Sequence, residues 1–153
     1  MSSKVFVIHD PSISEISEML ECCALDADLN SVLPSIDPLK RAETMQLGWC
    51  LLWFDAQTLA PLGYTYFEFV DKNAKKAPYF HFCATRFLRL GHVRSIRASI
   101  MRVFKNALKN RVRAYIPYDN NHAQSFAALA GFRPMELTEK GMIWDLAPPQ
   151  ARR

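Results

Sequence analysis

Pro78 to Tyr118 reads PYFHFCATRFLRLGHVRSIRASIMRVFKNALKNRVRAYIPY. Its opening, Pro78 to Thr85, is rich in aromatic side chains and predicts a strand. Tyr79, His81, Cys83 and Thr85 share one face of it, because strand side chains alternate. The period then changes. Val93, Ile96, Ile100, Val103, Phe104, Ala107 and Leu108 recur at three-four spacing and make one apolar stripe. Arg94, Arg97, Arg102, Lys105 and Lys109 occupy the other faces, so a long helix follows. Asn110 ends it, and Arg111 to Tyr118 (RVRAYIPY) returns as a strand. Strand, helix, strand predicts a parallel crossover, right-handed by the general rule for such connections.

Upstream, Lys4 to His9 (KVFVIH) predicts a short strand. Ser12 opens S-I-S-E, where Glu15 stands at capping-box spacing, and Ile13, Ile16, Met19, Leu20 and Cys23 carry a helix into the mid-twenties. Pro34 and Pro38 punctuate a second helical piece that ends near Gly48. Trp49 to Phe54 (WCLLWF) and Gly63 to Val70 (GYTYFEFV) predict two strands, joined by a proline-bearing turn over residues 55–62. Tyr64, Tyr66 and Glu68 share a face of the second. A polar turn with lysines covers residues 71–76. Downstream, Asn120 to Phe132 (NNHAQSFAALAGF) predicts a short helix capped by Asn120 and stopped at Gly131, where a left-handed residue is needed. Met135 to Thr138 and Met142 to Leu146 predict a hairpin around residues 139–141, and the tail 147–153 frays. A strand run flanked by helices predicts a mixed α/β sheet covered on both faces, in one domain spanning residues 1–153.

Half of the 153 residues are hydrophobic and 12% are aromatic, enough to build a core and to exclude a disordered chain. The net charge of +4 suits an anionic ligand and permits nucleic acid without requiring it. The basic residues from Arg94 to Arg113 read as a solvated helical face, since no nucleic-acid motif accompanies them. Cys22, Cys23, Cys50 and Cys83 lack metal-ligand spacing, so no metal site is expected and the thiols read as buried or idle in a reducing cytosol. No apolar run approaches bilayer length and the N-terminus lacks a signal-peptide pattern, so a soluble, cytoplasmic protein is expected.

The loop Phe87 to Ser95 (FLRLGHVRS) joins strand to helix through one glycine. Backbone N–H groups at such a helix start lack intrahelical partners, and with the positive end of the helix dipole they suit a phosphate. Arg86, Arg89 and Arg94 add charge. The same residues equally describe a plain turn with solvated arginines.

Element order from Lys4 to Leu146, this loop and the Asn120–Phe132 stretch together resemble the GNAT superfamily of acyl-CoA-dependent N-acyltransferases. The family's loop motif is Gln/Arg-x-x-Gly-x-Gly/Ala. Gly91 matches its first glycine, whereas Leu88 stands at the Gln/Arg position and Val93 at the second small residue. Asn120, Ala123, Gly131 and Phe132 fall at the spacings of the family's Asn-x-x-Ala and Gly-Phe. The compact build and loop are also similar to acetyltransferase-like proteins coded by tailed bacteriophages.

The resemblance implies a mostly antiparallel central sheet with one parallel, splayed strand pair. It implies acetyl-CoA as cofactor, its diphosphate on the backbone of Arg89, Leu90, Gly91, His92, Val93, Arg94 and Ser95. Its pantetheine arm would lie along Cys83 and Thr85, with Asn120 nearby. Ala127 occupies the position of the family's tyrosine, the acid that protonates the departing thiolate; Ser125, Tyr118 and His122 are other donors in the region. The base in the family usually sits on the central strands, where His81 and Glu68 are the candidates, His81 because it titrates near neutrality. Both also read as ordinary strand residues. Tyr64 and Tyr66 are candidates for lining the amine cleft.

Acetyl transfer to an amine is therefore the leading expectation. The alternative is a protein that kept the fold, lost the reaction and binds a protein partner, a host protein if the chain is viral. Nucleic acid and membrane are not expected as partners.

Overall fold

The computed structural model describes residues 4–26, 37–68, 79–107 and 112–146, without the side chains of Glu68, Tyr79, Met101 and residues 103–107. Pro34, the turn at 71–76, Asn110 and the tail from 147, each read from the sequence above, lie outside the described residues. The elements are β1 (Val5–His9), α1 (Ile13–Ala24), α2 (Pro38–Gln46), β2 (Trp49–Asp55), β3 (Pro61–Glu68) and β4 (Tyr79–Ala84). After these come α3 (Leu90–Ala107), β5 (Val112–Pro117), α4 (Asn121–Leu129), β6 (Arg133–Leu137) and β7 (Gly141–Leu146).

The seven strands form one sheet in the order β1-β2-β3-β4-β5-β7-β6. Every neighbouring pair is antiparallel except β4 and β5, which run parallel. The expected mixed sheet with a parallel pair is thus present. β3 starts two residues earlier than its aromatic pattern suggested, because Pro61 sits at the first strand position, where a missing N–H costs no ladder bond.

Helices cover both faces. On one, Ile16, Met19, Leu20 and Cys23 of α1 with Ala42 and Met45 of α2 pack on Cys50, Leu52, Tyr64, Tyr66 and Cys83. On the other, Val93, Ile96 and Ile100 of α3 and Phe126 and Ala127 of α4 pack on Leu51, Trp53, Phe67, Phe80 and Ile116. Cys50 and Leu52 alternate with Leu51 and Trp53, which is why WCLLWF is apolar without a break: neither face of that strand meets water. Trp53, fully buried, donates its indole N–H to Thr65 Oγ1 at 2.8 Å. Burying one such large side chain contributes about 1.5–3 kcal/mol. The Arg86–Asp26 ion pair, 3.6 Å apart with Arg86 64% exposed, contributes about 0–1 kcal/mol. The layers, not the surface charges, hold the fold.

The caps follow the sequence. Ser12 Oγ accepts from Glu15 N and Glu15 Oε1 from Ser12 N, a complete capping box. Asn120 Oδ1 accepts from Ala123 N at 3.0 Å. At the far end of α4, Gly131 adopts φ 95°, Gly131 N donates to Ala128 O and Phe132 N to Ala127 O, the paired bonds of a Schellman stop.

Gly63 fixes the spacing of β3 and β4. Its φ is 147°, and a Cβ there would lie 2.0 Å from the Cys83 carbonyl oxygen. Gly63→Ala is expected to cost at least ~2 kcal/mol, combining backbone strain with a forced shift of β4; urea denaturation of the two proteins measures it.

Candidate active site

β4 and β5 are paired at Tyr79–Arg113, the register described for them. Beyond that point they part. A cleft of about 590 Å³ runs between Phe82, Cys83 and Ala84 on one strand and Ala114, Tyr115 and Ile116 on the other. It is lined from both faces of the sheet: Leu90 and Val93 of α3 with Ala123, Phe126 and Ala127 of α4 on one, and Arg41, Tyr64 and His81 on the other. Volume and lining, apolar with a few polar groups, are those of a small-molecule site. The Phe82 and Phe126 rings stack at 4.0 Å between centroids, 16° apart, and Phe80 meets Phe132 at 5.2 Å, so aromatic pairs back the opening on the α4 side.

The β4–α3 loop accounts for its own donors. Arg86 N donates to Asp26 Oδ2 at 2.9 Å, Phe87 N to Thr85 Oγ1 at 3.2 Å and Leu88 N to Thr85 O at 3.1 Å. Arg89 N donates to His92 Nδ1 at 3.0 Å, and Val93 N makes the first helical bond to Arg89 O at 3.1 Å. That leaves the N–H groups of Leu90, Gly91 and His92, the first three of α3, without an intrahelical acceptor. They stand at the positive end of an 18-residue helix with no acidic residue in its first turn. The donor set fits an oxyanion such as a diphosphate.

His92 contributes its side chain to the frame and not to the cleft. Its Nδ1 accepts from Arg89, so its proton sits on Nε2, 2.7 Å from Asp55 Oδ2. Asp55 Oδ1 meanwhile accepts from Gln57 N and Thr58 N in the β2–β3 turn. The Thr58 N–H, then His92, then the Gln57 N–H hold the Asp55 carboxyl far below the usual carboxylate range. One carboxylate thus ties the turn to the start of α3. The sequence marked Asp55 only as the edge of a turn, and no spacing rule connects it to His92, 37 residues away.

The remaining expected residues divide by position. His81, Cys83, Thr85, Arg89, Leu90, Val93 and Tyr64 line the cleft, whereas Gly91, His92, Arg94, Ser95, Asn120 and Tyr66 do not. Arg94 is exposed, and Ser95 Oγ donates to Gly91 O at 3.4 Å. Val93 is buried, with its side chain in the α3 core. Thr85 N donates to Leu62 O at 2.9 Å, so that amide belongs to the β3 ladder and faces away from the gap. Tyr66 lies behind His81, ring on ring at 5.5 Å and 24°. The Glu68 side chain lies outside the described residues.

Burial pushes the Cys83 thiol up to about 11, with the Tyr64 hydroxyl and Arg41 pulling part of the way back. Cys83 is therefore a neutral thiol at neutral pH and a poor nucleophile. Of the alternative donors, His122 and Ser125 line the cleft; Tyr118 does not, its hydroxyl donating to Thr138 O. Arg41, Asp26 and Tyr115 also line it and were not marked from the sequence. Tyr115 was within reach, since alternation places it opposite Ala114 and Ile116. Arg41 was not, because only the packing of α2 on the sheet brings it there.

The backbone finds close relatives in shape. Ribosomal-protein-S5-alanine acetyltransferase from Vibrio fischeri superposes with a TM-score of 0.69 at 13% identity, over 97% of this chain and 94% of that one. A GNAT-family acetyltransferase from Bacillus anthracis gives 0.69 at 11%, over 95% and 94%. The chain has the GNAT fold. The Campylobacter jejuni N-acetyltransferase PseH in its complex with acetyl coenzyme A gives 0.60 at 16% identity, over 94% and 98%. No protein-family model and no curated protein matches the sequence. In this GNAT fold the parted strands and the start of α3 meet at one cleft. Among the described residues no helix is long and apolar enough to cross a membrane.

A depressed carboxyl stabilises the folded state above its unfolded pKa, near 4, and that stabilisation is lost as pH falls below it. Asp55→Asn removes this contribution. Unfolding free energy measured from pH 7 downward is expected to be lower than wild type at neutrality and to fall less steeply below about pH 4.

Proposed function

We propose that this protein transfers an acetyl group from acetyl-CoA to an amine of a small molecule or a protein. The observation that carries the reading is the parting of β4 and β5 beside Leu90, the first residue of α3, whose N–H, with those of Gly91 and His92, has no acceptor among the described residues. Those amides and the α3 dipole would hold the diphosphate. The gap between Ala84 and Ala114 would take the extended pantetheine arm. Acetyl-CoA supplies a thioester whose acyl carbon is open to a neutral amine. Arg89 lines the phosphate end, with one terminal nitrogen already donating to Arg86 O at 2.8 Å.

His81 is the base of this reading. It lines the cleft on the α1/α2 side, held flat against Tyr66, and would take the proton that the amine loses as the new N–C bond forms. Glu68, at the end of the neighbouring strand, is the second candidate base. Tyr64 shapes the acceptor side. Direct attack is favoured over a covalent cysteine route because Cys83 stays protonated. Ala127 cannot protonate the departing thiolate; His122 and Ser125 on α4 are the nearby donors in the cleft. The absence of a tyrosine at that position favours a second reading, binding of a protein partner without turnover.

Calorimetric titration with acetyl-CoA is expected to give saturable heat and a raised melting temperature; neither at millimolar ligand would remove the cofactor from this account. His81→Gln is expected to leave acetyl-CoA affinity unchanged and to lower kcat by ~10²–10⁴, the range of general acid–base catalysis. Release of free thiol across an amine panel reads it. Binding with no release for any amine, together with a partner captured by pull-down, selects the second reading.

A further inference from the structure

Arg41, Arg86 and Arg89 line the cleft, and two of them are already engaged. Arg86 faces Asp26 at 3.6 Å, and Arg89 donates to the Arg86 carbonyl. Arg41 differs. It projects from α2 onto the sheet, with its guanidinium carbon 5.5 Å from the centre of the Tyr66 ring. The same ring carries His81 at 5.5 Å. Arg41 Nε is buried and has no hydrogen-bond acceptor among the described residues. Cys50, Tyr64 and Cys83, groups that burial keeps neutral, lie near it, and the carboxylate that lines the same cleft, Asp26, faces Arg86. Arg41 as a whole is half-buried, so its charge is only partly desolvated, and a partly desolvated guanidinium facing a cleft is a ready partner for an anion. Its planar fork matches a carboxylate or a phosphate through two parallel hydrogen bonds. A ring shared with the candidate base puts that anion on the acceptor side.

We propose that Arg41 recognises an oxyanion on the acceptor, so that the substrate is an amine which also carries a carboxylate or phosphate. This rests on the acetyltransferase reading for the word acceptor, but not for the anion site itself. A neutral or purely cationic amine leaves Arg41 unpaired in its pocket and is discriminated against.

The test uses product-like ligands that cannot react. The full-length protein, with and without saturating CoA, is titrated with N-acetylglycine against N-acetylglycinamide. The second pair is N-acetyl-phosphoethanolamine against N-acetylethanolamine. Wild type is expected to bind at least one anion tenfold or more tightly than its neutral counterpart, and the pair that discriminates tells carboxylate from phosphate. Arg41→Gln is expected to abolish the preference and Arg41→Lys to keep part of it, with melting temperature confirming that each variant folds. Equal binding of anionic and neutral members by wild type overturns the proposal, as it would if an internal carboxylate already neutralised Arg41. A preference that survives Arg41→Gln overturns it as well. Failure of acetyl-CoA to bind would sink the acetyltransferase reading alone, and the anion preference of the free protein would still decide the role of Arg41.

Discussion

The structure turns on two parallel strands that share one described pairing and are each held on the far edge by an antiparallel neighbour. β4 is paired with β3 from Tyr79–Glu68 to Ala84–Gly63, at a distance that leaves no room for a side chain at Gly63. β5 is paired with β7 without interruption from Val112–Leu146 to Pro117–Gly141. Each strand follows its own antiparallel neighbour, and past Tyr79, which pairs with both Glu68 and Arg113, the two courses diverge and leave the facing edges without a ladder. The opening is therefore a built part of the fold. The Phe82–Phe126 and Phe80–Phe132 contacts wedge α4 against it.

The start of α3 is organised by the same accounting. Four consecutive loop amides, from Arg86 to Arg89, find acceptors within the protein, and one of these is a histidine ring held by Asp55. What remains is a compact set of donors on a rigid helix end. A loop that left all its amides unsatisfied would be mobile, and one that satisfied all of them would offer an anion nothing. His92 fixes the frame with its side chain, accepting from Arg89 N and meeting Asp55, while its own N–H is among the three without an intrahelical acceptor.

Much of the architecture was legible because it depends on local rules. The three-four stripe as far as Val93, Ile96 and Ile100, the Ser12–Glu15 box, the Asn120 cap and the Gly131 stop each act within a few residues, and each was found where the pattern put it. The strand faces were legible too: alternation put Tyr64 with Tyr66 and His81 with Cys83, each pair on one face of its strand, and the β3–β4 register brings the two pairs together. The cleft was less so. Arg41, Asp26 and Asp55 reach it or its frame from α2, from the end of α1 and from the β2–β3 turn, through contacts between segments far apart in sequence. No periodicity encodes those. Val93 was also ambiguous on paper, since one residue type serves both as helix stripe and as a departure from a loop motif; its buried side chain resolves the first role directly.

Because the cleft pierces the sheet, its walls belong to two separate helical layers. Leu90, Val93 and α4 furnish one end, and α2 with the rear of β3 and β4 furnishes the other. Changes in α2 can reshape what is admitted there without disturbing the opposite chamber, since the sheet stands between them as a partition. Such a plan lets the wall built by α2 vary independently of the wall built by α3 and α4.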